Sequence, residues 1–334
     1  MMEVKEAILN IEINKVKEFL ASFDLSYEDS IDKTLYIEEN DKIIATISKE
    51  KDIIKCLAID PSYQSENLSS VLVSKILEKM REENIHSYMV FTKAIYENTF
   101  VNLGFKKLVN TDITVMLEGG IDSVEDTINK MKIKINAEFG SITKDTKVGT
   151  IVMNANPITL GHQHLIEKSV LENDLTLVFV VEEDSQEFDF QTRYSLVYLT
   201  CKKYENVIVL PASKYIVSKS TFPTYFLSED KVDTEVSLID GLIFKKYFME
   251  AFNITKRYVG SEVKEKMNDY NQTLKTILEN KLVLIDRISL EDKVISASYV
   301  RSLLKEGNIE EALKYIPREC YSVFRLLAYG KYSK

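Results

Sequence analysis

Two kinds of hydrophobic spacing alternate along the first third of this chain. Short apolar runs predict strands, and longer segments with apolar side chains three and four residues apart predict amphipathic helices. The predicted strands are residues 34–38, 42–48, 53–59, 87–92, 105–108 and 113–117. The predicted helices are residues 14–23, 68–83 and 96–104. This mixture of neighbouring strands and separate helices predicts an α+β domain over residues 1–118.

A second region repeats strand and helix more regularly. Its predicted strands are residues 148–153, 175–181, 207–210, 257–259 and 282–285. Segments with helical spacing separate these strands, and such alternation predicts an α/β domain with a doubly wound, Rossmann-like parallel sheet over residues 147–334. Residues 119–146, which include an amphipathic stretch, form the predicted connector between the two domains. Ligands of a doubly wound sheet lie above the carboxyl ends of its strands.

Composition excludes several classes of function. The 334 residues carry a formal net charge of −9, which argues against a general nucleic-acid-binding surface. The three cysteines are far apart and include no Cys-x-x-Cys pair, which indicates a reducing cytosol and predicts no zinc site. No apolar run approaches the ~20 residues of a membrane span, and no signal-peptide pattern opens the chain. We therefore expect a cytoplasmic protein with neither nucleic acid nor membrane as its partner.

The first polar motif follows the strand at residues 148–153, where a turn leads into a helix. Its candidate residues are Asn154, Asn156, Thr159, Gly161 and His162. Backbone N–H groups and the dipole at such a helix start favour phosphate, and Thr159 and His162 can reach the same anion. By this motif alone, a plain helix-capping role for His162 is equally well supported. His164 is rotated by roughly 200° from His162 on a helix, so we predict that it faces away.

The second polar motif follows the strand at residues 282–285. Ser296 and Ser298 open a predicted helix, and Arg301 lies one turn inside it. Two hydroxyl residues at a helix start normally act as caps. A guanidinium in the first turn can also hold phosphate oxygens by two parallel hydrogen bonds. Since both motifs follow strands of one predicted parallel sheet, we expect them at the same edge of that sheet.

These two motifs resemble the nucleotidyltransferase superfamily, whose members act on the α-phosphate of ATP. Asn156-Pro157-x-Thr159-x-Gly161-His162 is similar to its T-x-G-H signature, and the run from Ile295 to Arg301 is similar to its I-S-x-S/T-x-x-R element. The resemblance implies that His162 stabilises the transition state and that Thr159 stands in place of a first histidine. It implies further that Thr159, Ser296, Ser298 and Arg301 hold the phosphates.

The first region resembles the GNAT acetyltransferase superfamily in its order of elements and in two motifs. The motifs are Asp60-Pro61-x-Tyr63-Gln64 and Asn98-x-Phe100-x-x-Leu103-Gly104-Phe105. In that superfamily a glycine loop lets backbone amides approach the coenzyme A pyrophosphate. Residues 64–69, at the position of this loop, contain no glycine, and they include the acidic Glu66. We therefore expect a GNAT-like domain that does not bind acetyl-CoA and is not catalytic.

The pairing of these two domains resembles the citrate (pro-3S)-lyase ligase family over almost the whole chain. Further matching pieces are Phe188-x-Phe190-x-x-Arg193, residues 220–227, Val259-Gly260-Ser261-Glu262 and Tyr270-Asn271, whereas residues 263–267 depart from the family pattern. The resemblance implies ATP and Mg²⁺ as cofactors, acetate as substrate, and the citrate lyase acyl carrier subunit with its coenzyme-A-like prosthetic group as partner.

The implied activity is that of an AMP-forming acid-thiol ligase. Acetate becomes acetyl-adenylate with release of pyrophosphate, and the carrier thiol then displaces AMP. The resemblance also implies a set of nucleotide-binding residues, with no protein ligand assigned to the metal. They are Asn154, Asn156, Gly161, Arg193, Gly260, Ser261, Ser296 and Ser298.

Two other functions remain alternatives at this point. One is a nucleotidyltransferase that makes a dinucleotide coenzyme, with the first domain as an accessory. The other is a regulatory protein that keeps both folds as binding modules. The intact motif around Arg301 argues against the regulatory protein, and the match at residues 220–227 argues against the coenzyme synthase.

Overall fold

The computed structural model of the chain describes residues 3–183, 186–219, 221–261 and 265–332, without the side chains of Ser65, Glu66 and residues 265–269. These residues form two compact units. Unit 1 comprises Met1–Ser123 and Lys219–Ile239, and unit 2 comprises Val124–Ser218 and Asp240–Lys334. The charge that the sequence places at Glu66, in the loop without glycines, lies outside the described residues.

Within the described residues, unit 1 is built on a seven-stranded sheet in the order β1-β2-β3-β4-β5-β7-β6. Its strands are β1 (Lys5–Glu6), β2 (Lys33–Glu39), β3 (Lys42–Glu50), β4 (Ile53–Ile59), β5 (Ser87–Lys93), β6 (Lys106–Asn110) and β7 (Thr114–Gly120). Its helices are α1 (Asn10–Ala21), α2 (Leu68–Glu82) and α3 (Glu97–Asn102). Neighbouring strands are antiparallel except for the parallel pair β4–β5. This mixed sheet with separate helices confirms the predicted α+β fold of the first region.

The long helix α2 carries the apolar spacing that the sequence shows, and it buries that face in the core of unit 1. Leu72, Ile76 and Met80 are fully buried there. They pack in one hydrophobic cluster with β-branched and aliphatic side chains of the sheet, among them Ile47. Apolar residues at i, i+4 and i+8 form one stripe along a helix. The sequence pattern therefore gave both the element and its buried face.

Residues 219–239 pack in unit 1, although the sequence places them in the second domain. The Tyr225 hydroxyl donates to the Phe91 carbonyl of β5 at 2.9 Å, and the Tyr225 carbonyl accepts from the Ser26 N–H at 2.8 Å. The Phe222 ring meets the Phe91 ring edge-on, with centroids 5.2 Å apart. The part of the 220–227 run that the structure describes therefore has a packing role in unit 1, while Ser220 itself lies outside the described residues.

In the described part of unit 2, a five-stranded parallel sheet has the order β10-β9-β8-β11-β12. Its strands are β8 (Val148–Met153), β9 (Leu175–Val180), β10 (Val207–Pro211), β11 (Ile254–Gly260) and β12 (Leu282–Ile285), and a hairpin follows as β13 (Ser289–Leu290) and β14 (Lys293–Val294). The helices that follow α3 along the chain are α4 (Val124–Glu138), α5 (Leu160–Glu172), α6 (Phe190–Cys201), α7 (Glu229–Ile243), α8 (Glu265–Leu278), α9 (Ala297–Lys305), α10 (Ile309–Leu313) and α11 (Tyr321–Tyr332), and all but α7 lie wholly in unit 2.

This order confirms the predicted doubly wound parallel sheet. Residues 119–146, the predicted connector, do not form a separate segment, because α4 within them is grouped with unit 2. Helix α7 is grouped with unit 1 up to Ile239 and with unit 2 from Asp240. Among the described helices, none is long and apolar enough to cross a membrane.

The two faces of the unit 2 sheet carry different layers. On one face Ile151, Met153 and Tyr258 join the cluster that contains Ile166 of α5 and Val300 of α9. On the other face Phe179 of β9 packs on an aromatic group, with ring centroids 5.8 and 6.3 Å away. The members of that group are Phe248 and Phe252. Successive residues of a strand point to opposite faces, so neighbours along β8 and β11 reach different layers.

Candidate functional site

A cavity of about 440 Å³ opens at the carboxyl ends of β8 and β11 in unit 2. Both predicted motifs contribute to its lining. The predicted residues that line it are Asn154, Asn156, Thr159, Gly161, His162, Gly260, Ser296, Ser298 and Arg301. Residues more than 130 positions apart in the sequence thus meet at one place, because the carboxyl ends of parallel strands share one edge of the sheet.

Thr159 and His162 form a reciprocal cap at the start of α5. His162 Nδ1 accepts the backbone N–H of Thr159 at 3.0 Å and lies 2.9 Å from Thr159 Oγ1. A backbone N–H can only donate, so Nδ1 carries no proton and the neutral ring holds its proton at Nε2. Burial, assisted by the positive charge of Arg287, lowers the pKa of His162 to about 4. The side chain therefore offers the cavity a neutral N–H donor at neutral pH.

The capping role and the functional role of His162 are compatible, because they use different ring nitrogens. Nδ1 satisfies a backbone donor at the helix start, as the capping hypothesis requires. Nε2 is the ring atom that remains for a ligand. The cap also fixes the ring orientation, which matters for a donor that must meet charge developing in a transition state.

Asn156 organises the loop between β8 and α5. Its side chain donates to Gln186 Oε1 at 2.6 Å and accepts the Phe188 N–H at 3.1 Å. Its carbonyl accepts a hydrogen bond from Arg301 Nη1. The peptide bond to Pro157 is cis. Asn156 lines the cavity, but its side-chain groups are already engaged with the protein, so it holds the loop in place.

Arg193 does not line this cavity, although the sequence predicts it as a nucleotide-binding residue. It is fully buried on α6, and Nη1 donates to the Asn154 carbonyl at 2.6 Å and to Asn154 Oδ1 at 2.8 Å. Nε donates to the Phe188 carbonyl at 3.1 Å, and Nη2 donates to the Glu183 carbonyl. The guanidinium holds the turn after β8 through these hydrogen bonds. Arg193 therefore supports Asn154 and does not itself line the cavity.

The start of α9 supplies the second group of polar atoms. Ser296 caps the helix by accepting the Tyr299 N–H at 3.2 Å, and its hydroxyl lies 3.1 Å from that of Ser298. Arg301, one turn on, donates from Nη1 to the Asn156 carbonyl. This contact joins α9 to the loop before α5. Helix N-terminal amides, two hydroxyls and a guanidinium on one cavity wall form a set of donors suited to phosphate.

Some lining residues were not predicted as site residues from the sequence. His164, which helix rotation predicts to face away from His162, is nevertheless among the residues that line the cavity. Arg287, which directly follows Asp286 after β12, was not singled out. Its Nε donates to the Ser261 carbonyl at 2.8 Å. Its only sequence signal is its place just after a strand end.

Ser261 itself is not among the lining residues. Its N–H donates to the Ile285 carbonyl at 2.8 Å, and its carbonyl holds Arg287. It therefore acts through Arg287 and through the connection between β11 and β12. Glu262 and the side chains of residues 263–267, where the sequence departs from the family pattern, lie outside the described residues.

The far end of the cavity is lined by Arg257 of β11 and by Tyr270 and Asn271 of α8. Arg257 is 1% exposed, and its Nη2 donates to Asp240 Oδ2 at 2.9 Å. The Tyr270 hydroxyl donates to the same oxygen at 2.8 Å. Asn271 donates to the Gly260 carbonyl at 3.1 Å. This end of the cavity therefore combines a buried ion pair with the carboxyl-terminal end of β11.

The chain matches a family model described as the citrate lyase ligase C-terminal domain over residues 148–324. It is 30% identical to a citrate (pro-3S)-lyase ligase of Escherichia coli, over 92% of this chain and 89% of that protein. A relative of the same name from Klebsiella pneumoniae is 31% identical, over 94% and 92%. A solved ribosomal-protein-S18-alanine N-acetyltransferase from Escherichia coli is 12% identical over 37% of this chain and 96% of that chain, with a TM-score of 0.30.

Proposed function

The chain belongs to the citrate lyase ligase family, and on that premise we propose that it activates acetate with ATP and acetylates the acyl carrier subunit of citrate lyase. The enzyme is a ligase, as its relatives are named. In the first step acetate and ATP give acetyl-adenylate and pyrophosphate. In the second step the prosthetic-group thiol of the carrier takes the acetyl group, and AMP leaves.

The observation that carries this proposal is the state of His162. Its Nδ1 accepts a backbone N–H, which leaves a neutral Nε2–H donor in a cavity that Ser296, Ser298 and Arg301 also line. Adenylation develops negative charge on the oxygens of the α-phosphate. A fixed, preorganised donor stabilises such charge more in the transition state than in the ground state. A neutral donor also remains available across the neutral pH range.

In the first step a carboxylate oxygen of acetate forms a bond to the α-phosphorus, and the bond from that phosphorus to the bridging oxygen breaks. We propose that His162 donates to the α-phosphate, while Arg301, Thr159, Ser298 and the amides at the start of α5 hold the phosphate chain. Mg²⁺ bound with ATP would supply positive charge against the phosphates, and we assign it no protein ligand. The protein's task is chiefly to place two anions together and to neutralise charge.

In the second step the carrier thiol attacks the acetyl carbon, its proton passes to solvent, and the bond to AMP breaks. A second cavity, of about 300 Å³, lies in unit 1 where β4 and β5 separate. The two strands pair only at Ile53–Met89 and Ile54–Val90. Beyond these pairs Leu57, Thr92 and Thr99 line the opening. We propose that this cavity receives the long thiol arm of the carrier, which is a role without separate acetyl-CoA chemistry.

One mass-spectrometric experiment tests the function as a whole. The protein is incubated with ATP, acetate and deacetylated citrate lyase carrier, and AMP and the carrier mass are followed. We expect AMP in proportion to a gain of one acetyl group on the carrier. Acetate-dependent exchange of pyrophosphate into ATP, measured without carrier, isolates the first step. AMP release without acetyl gain, or no dependence on acetate, would contradict the proposal.

The role of the unit 1 cavity is tested by Thr99→Trp, since Thr99 is exposed on α3 and lines the opening. The new ring should fill the opening and raise the KM for the carrier, while pyrophosphate exchange stays normal. Asn98→Trp is the matched control, because Asn98 is also exposed on α3 and is not among the lining residues. Equal carrier kinetics in the two variants would overturn this part of the proposal.

A further inference from the structure

The cavity of unit 2 reaches both faces of the sheet, and its two ends differ in chemistry. In the register of the parallel pair β8–β11, Arg257 lies beside Thr150. Alternation along the strands then puts Arg257, Val259 and Val152 on one face. Ile151 and Tyr258 point to the other face, where α5 and α9 pack. The end near His162 and Arg301, here called the phosphate end, therefore lies across the sheet edge from the end near Arg257.

The end near Arg257 carries unsatisfied polar groups. Nε and Nη1 of Arg257 and Oδ1 of Asp240 are buried and have no hydrogen-bond partner in the described part of the chain. The guanidinium also lies over the Phe244 ring, 4.3 Å from its centroid. Buried donors without partners are costly and rare in folded proteins. The charge of this guanidinium is already paired with Asp240, so its spare donors lack acceptors, which the carboxylate of a small ligand would supply.

The same end also has apolar lining residues. Val152 and Val259 line the cavity next to the carboxyl-terminal end of β11, and both are half-buried. Arg257 lines the cavity beside them and is only 1% exposed. A short acid with a carboxylate and one small alkyl group matches this combination. A second nucleotide phosphate does not, because it has no apolar part to place against the valines.

We propose that the end lined by Arg257, Val152 and Val259 binds the carboxylic acid substrate and selects its chain length. This inference rests on the proposed function and names the acid site within it. Arg257 holds the carboxylate by hydrogen bonding, while Asp240 and the Tyr270 hydroxyl fix the guanidinium in place. The valines contact the alkyl group and limit its length. The acid then approaches the α-phosphate from the side opposite to α5.

Valine variants test the selectivity without touching the ion pair. Val152→Ala and Val259→Ala remove methyl groups from this end, and acid-dependent pyrophosphate exchange is measured with acetate, propionate and butyrate. We expect kcat/KM for propionate relative to acetate to rise by about 10-fold or more, as one methylene commonly changes discrimination by that amount. The KM for ATP should stay unchanged. Val283→Ala is the matched control, because Val283 is half-buried on β12 and is not among the lining residues.

Arg257→Lys and Tyr270→Phe test the anion contact. We expect the KM for acetate to rise by about 10-fold or more in Arg257→Lys, since one ammonium cannot replace a fixed planar fork. The Kd for ATP without acetate should not change, whereas a merely structural defect would weaken both ligands. Should these variants fold poorly, the valine series still decides the question.

The two proposals fail in different ways. If the natural protein shows no acid-dependent exchange, the proposed function is wrong. If it does, but the propionate ratio is the same in Val152→Ala, Val259→Ala and the control, the acid site lies elsewhere. An unchanged KM for acetate in a folded Arg257→Lys would likewise overturn the inference.

Discussion

His162 gives the site a donor whose protonation stays constant at neutral pH. Three histidines are present in the chain, so their imidazole signals can be resolved individually by nitrogen NMR. We expect His162 to show the Nε2-protonated tautomer and to remain neutral until the pH approaches 4, because burial lowers its pKa to about 4. His162→Ala identifies the signal. A midpoint near 6.5, or a proton on Nδ1, would contradict the assigned role.

The same shift has a consequence for stability. The pKa of His162 is lower in the folded protein than the ordinary value of 6.5, so the unfolded chain takes up this proton first as the pH falls. The contribution of His162 is therefore fully present above pH 6.5 and decreases between pH 6.5 and about 4. In His162→Ala this part of the pH dependence should disappear, although the variant also loses a helix cap that is worth about 1 kcal/mol.

A substitution at Gly161 tests the requirements of ligand binding separately from those of folding. A Cβ at this position would meet Thr159 Oγ1 at 3.5 Å and the Ile295 carbonyl at 3.6 Å, which are ordinary contacts. Gly161→Ala should therefore keep or slightly raise the melting temperature, since alanine favours a helix by about 1 kcal/mol over glycine. We expect the KM for ATP to rise by an order of magnitude, because the added methyl group stands where phosphate approaches the α5 amides.

The control for Gly161 is Gly330→Ala on α11, where a Cβ would have open space. It should gain the same helix stabilisation and keep normal kinetics. If both variants have the same KM for ATP, close approach of phosphate at Gly161 is not the reason for the glycine.

The elements of unit 2 show why some of the site was accessible to sequence analysis. Strand β8 and the helices α5 and α9 have dense apolar patterns followed by polar motifs, so their order and their shared edge follow from local spacing. The contacts of Arg193 with the turn after β8 do not follow from local spacing. Its acceptors are backbone carbonyls, and their positions depend on packing. Helical rotation places His164 relative to His162, but it does not give the extent of a cavity, so the lining position of His164 was not predicted.

Arg193 should behave as a structural residue of α6. Its buried guanidinium satisfies carbonyls of Asn154, Phe188 and Glu183, and Arg193→Met would leave these acceptors without their donors. We expect a loss of about 3–5 kcal/mol in the free energy of unfolding, because several buried acceptors each lose a partner at a cost of about 1–3 kcal/mol. Urea unfolding measures it. Arg325→Met, at an exposed arginine on α11, is the control and should change stability by less than about 0.5 kcal/mol.

A large loss of stability in Arg193→Met would support the bracing role. A variant with normal stability and weak ATP binding would instead return Arg193 to the direct ligand role that the sequence predicts. The two outcomes are distinguishable because thermal and urea unfolding can be followed without nucleotide.

At the scale of the whole molecule, the chain leaves unit 2 after Ser218, adds residues 219–239 to unit 1, and returns at Asp240. No local sequence pattern predicts that residues 219–239 pack in unit 1, because the residues that they contact there are distant in sequence. Thr224 donates from its N–H and its hydroxyl to Glu28 Oε1 at 2.9 Å each, and Thr111 donates to Glu235 Oε2 at 2.6 Å. Sequence analysis can recognise the run at 220–227 as a family feature, but its packing depends on contacts that only the folded chain brings together.

Because residues 219–239 pack in unit 1, we predict that unit 2 cannot be isolated by a simple truncation. A chain of residues 124–334 would expose side chains that are 4–5% exposed in the full protein, namely Phe222, Tyr225, Phe226 and Val236. Each such side chain contributes about 1.5–3 kcal/mol by its burial, so we expect aggregation and dye binding to exposed apolar surface. Cutting at residue 140 would also remove α4, whose Lys134 donates to Tyr194 and to the Val209 carbonyl.

The matched control carries Phe222→Ser, Tyr225→Ser and Phe226→Ser in the same 124–334 chain. Since the three serines remove the apolar surface that unit 1 would otherwise cover, this variant should sediment closer to a monomer than its parent does. Placed in the full-length chain, the same substitutions should instead lower the melting temperature, because there the aromatic residues are buried. A soluble, monomeric 124–334 chain whose sedimentation is unaffected by the serines would show that residues 219–239 do not need unit 1 for their burial.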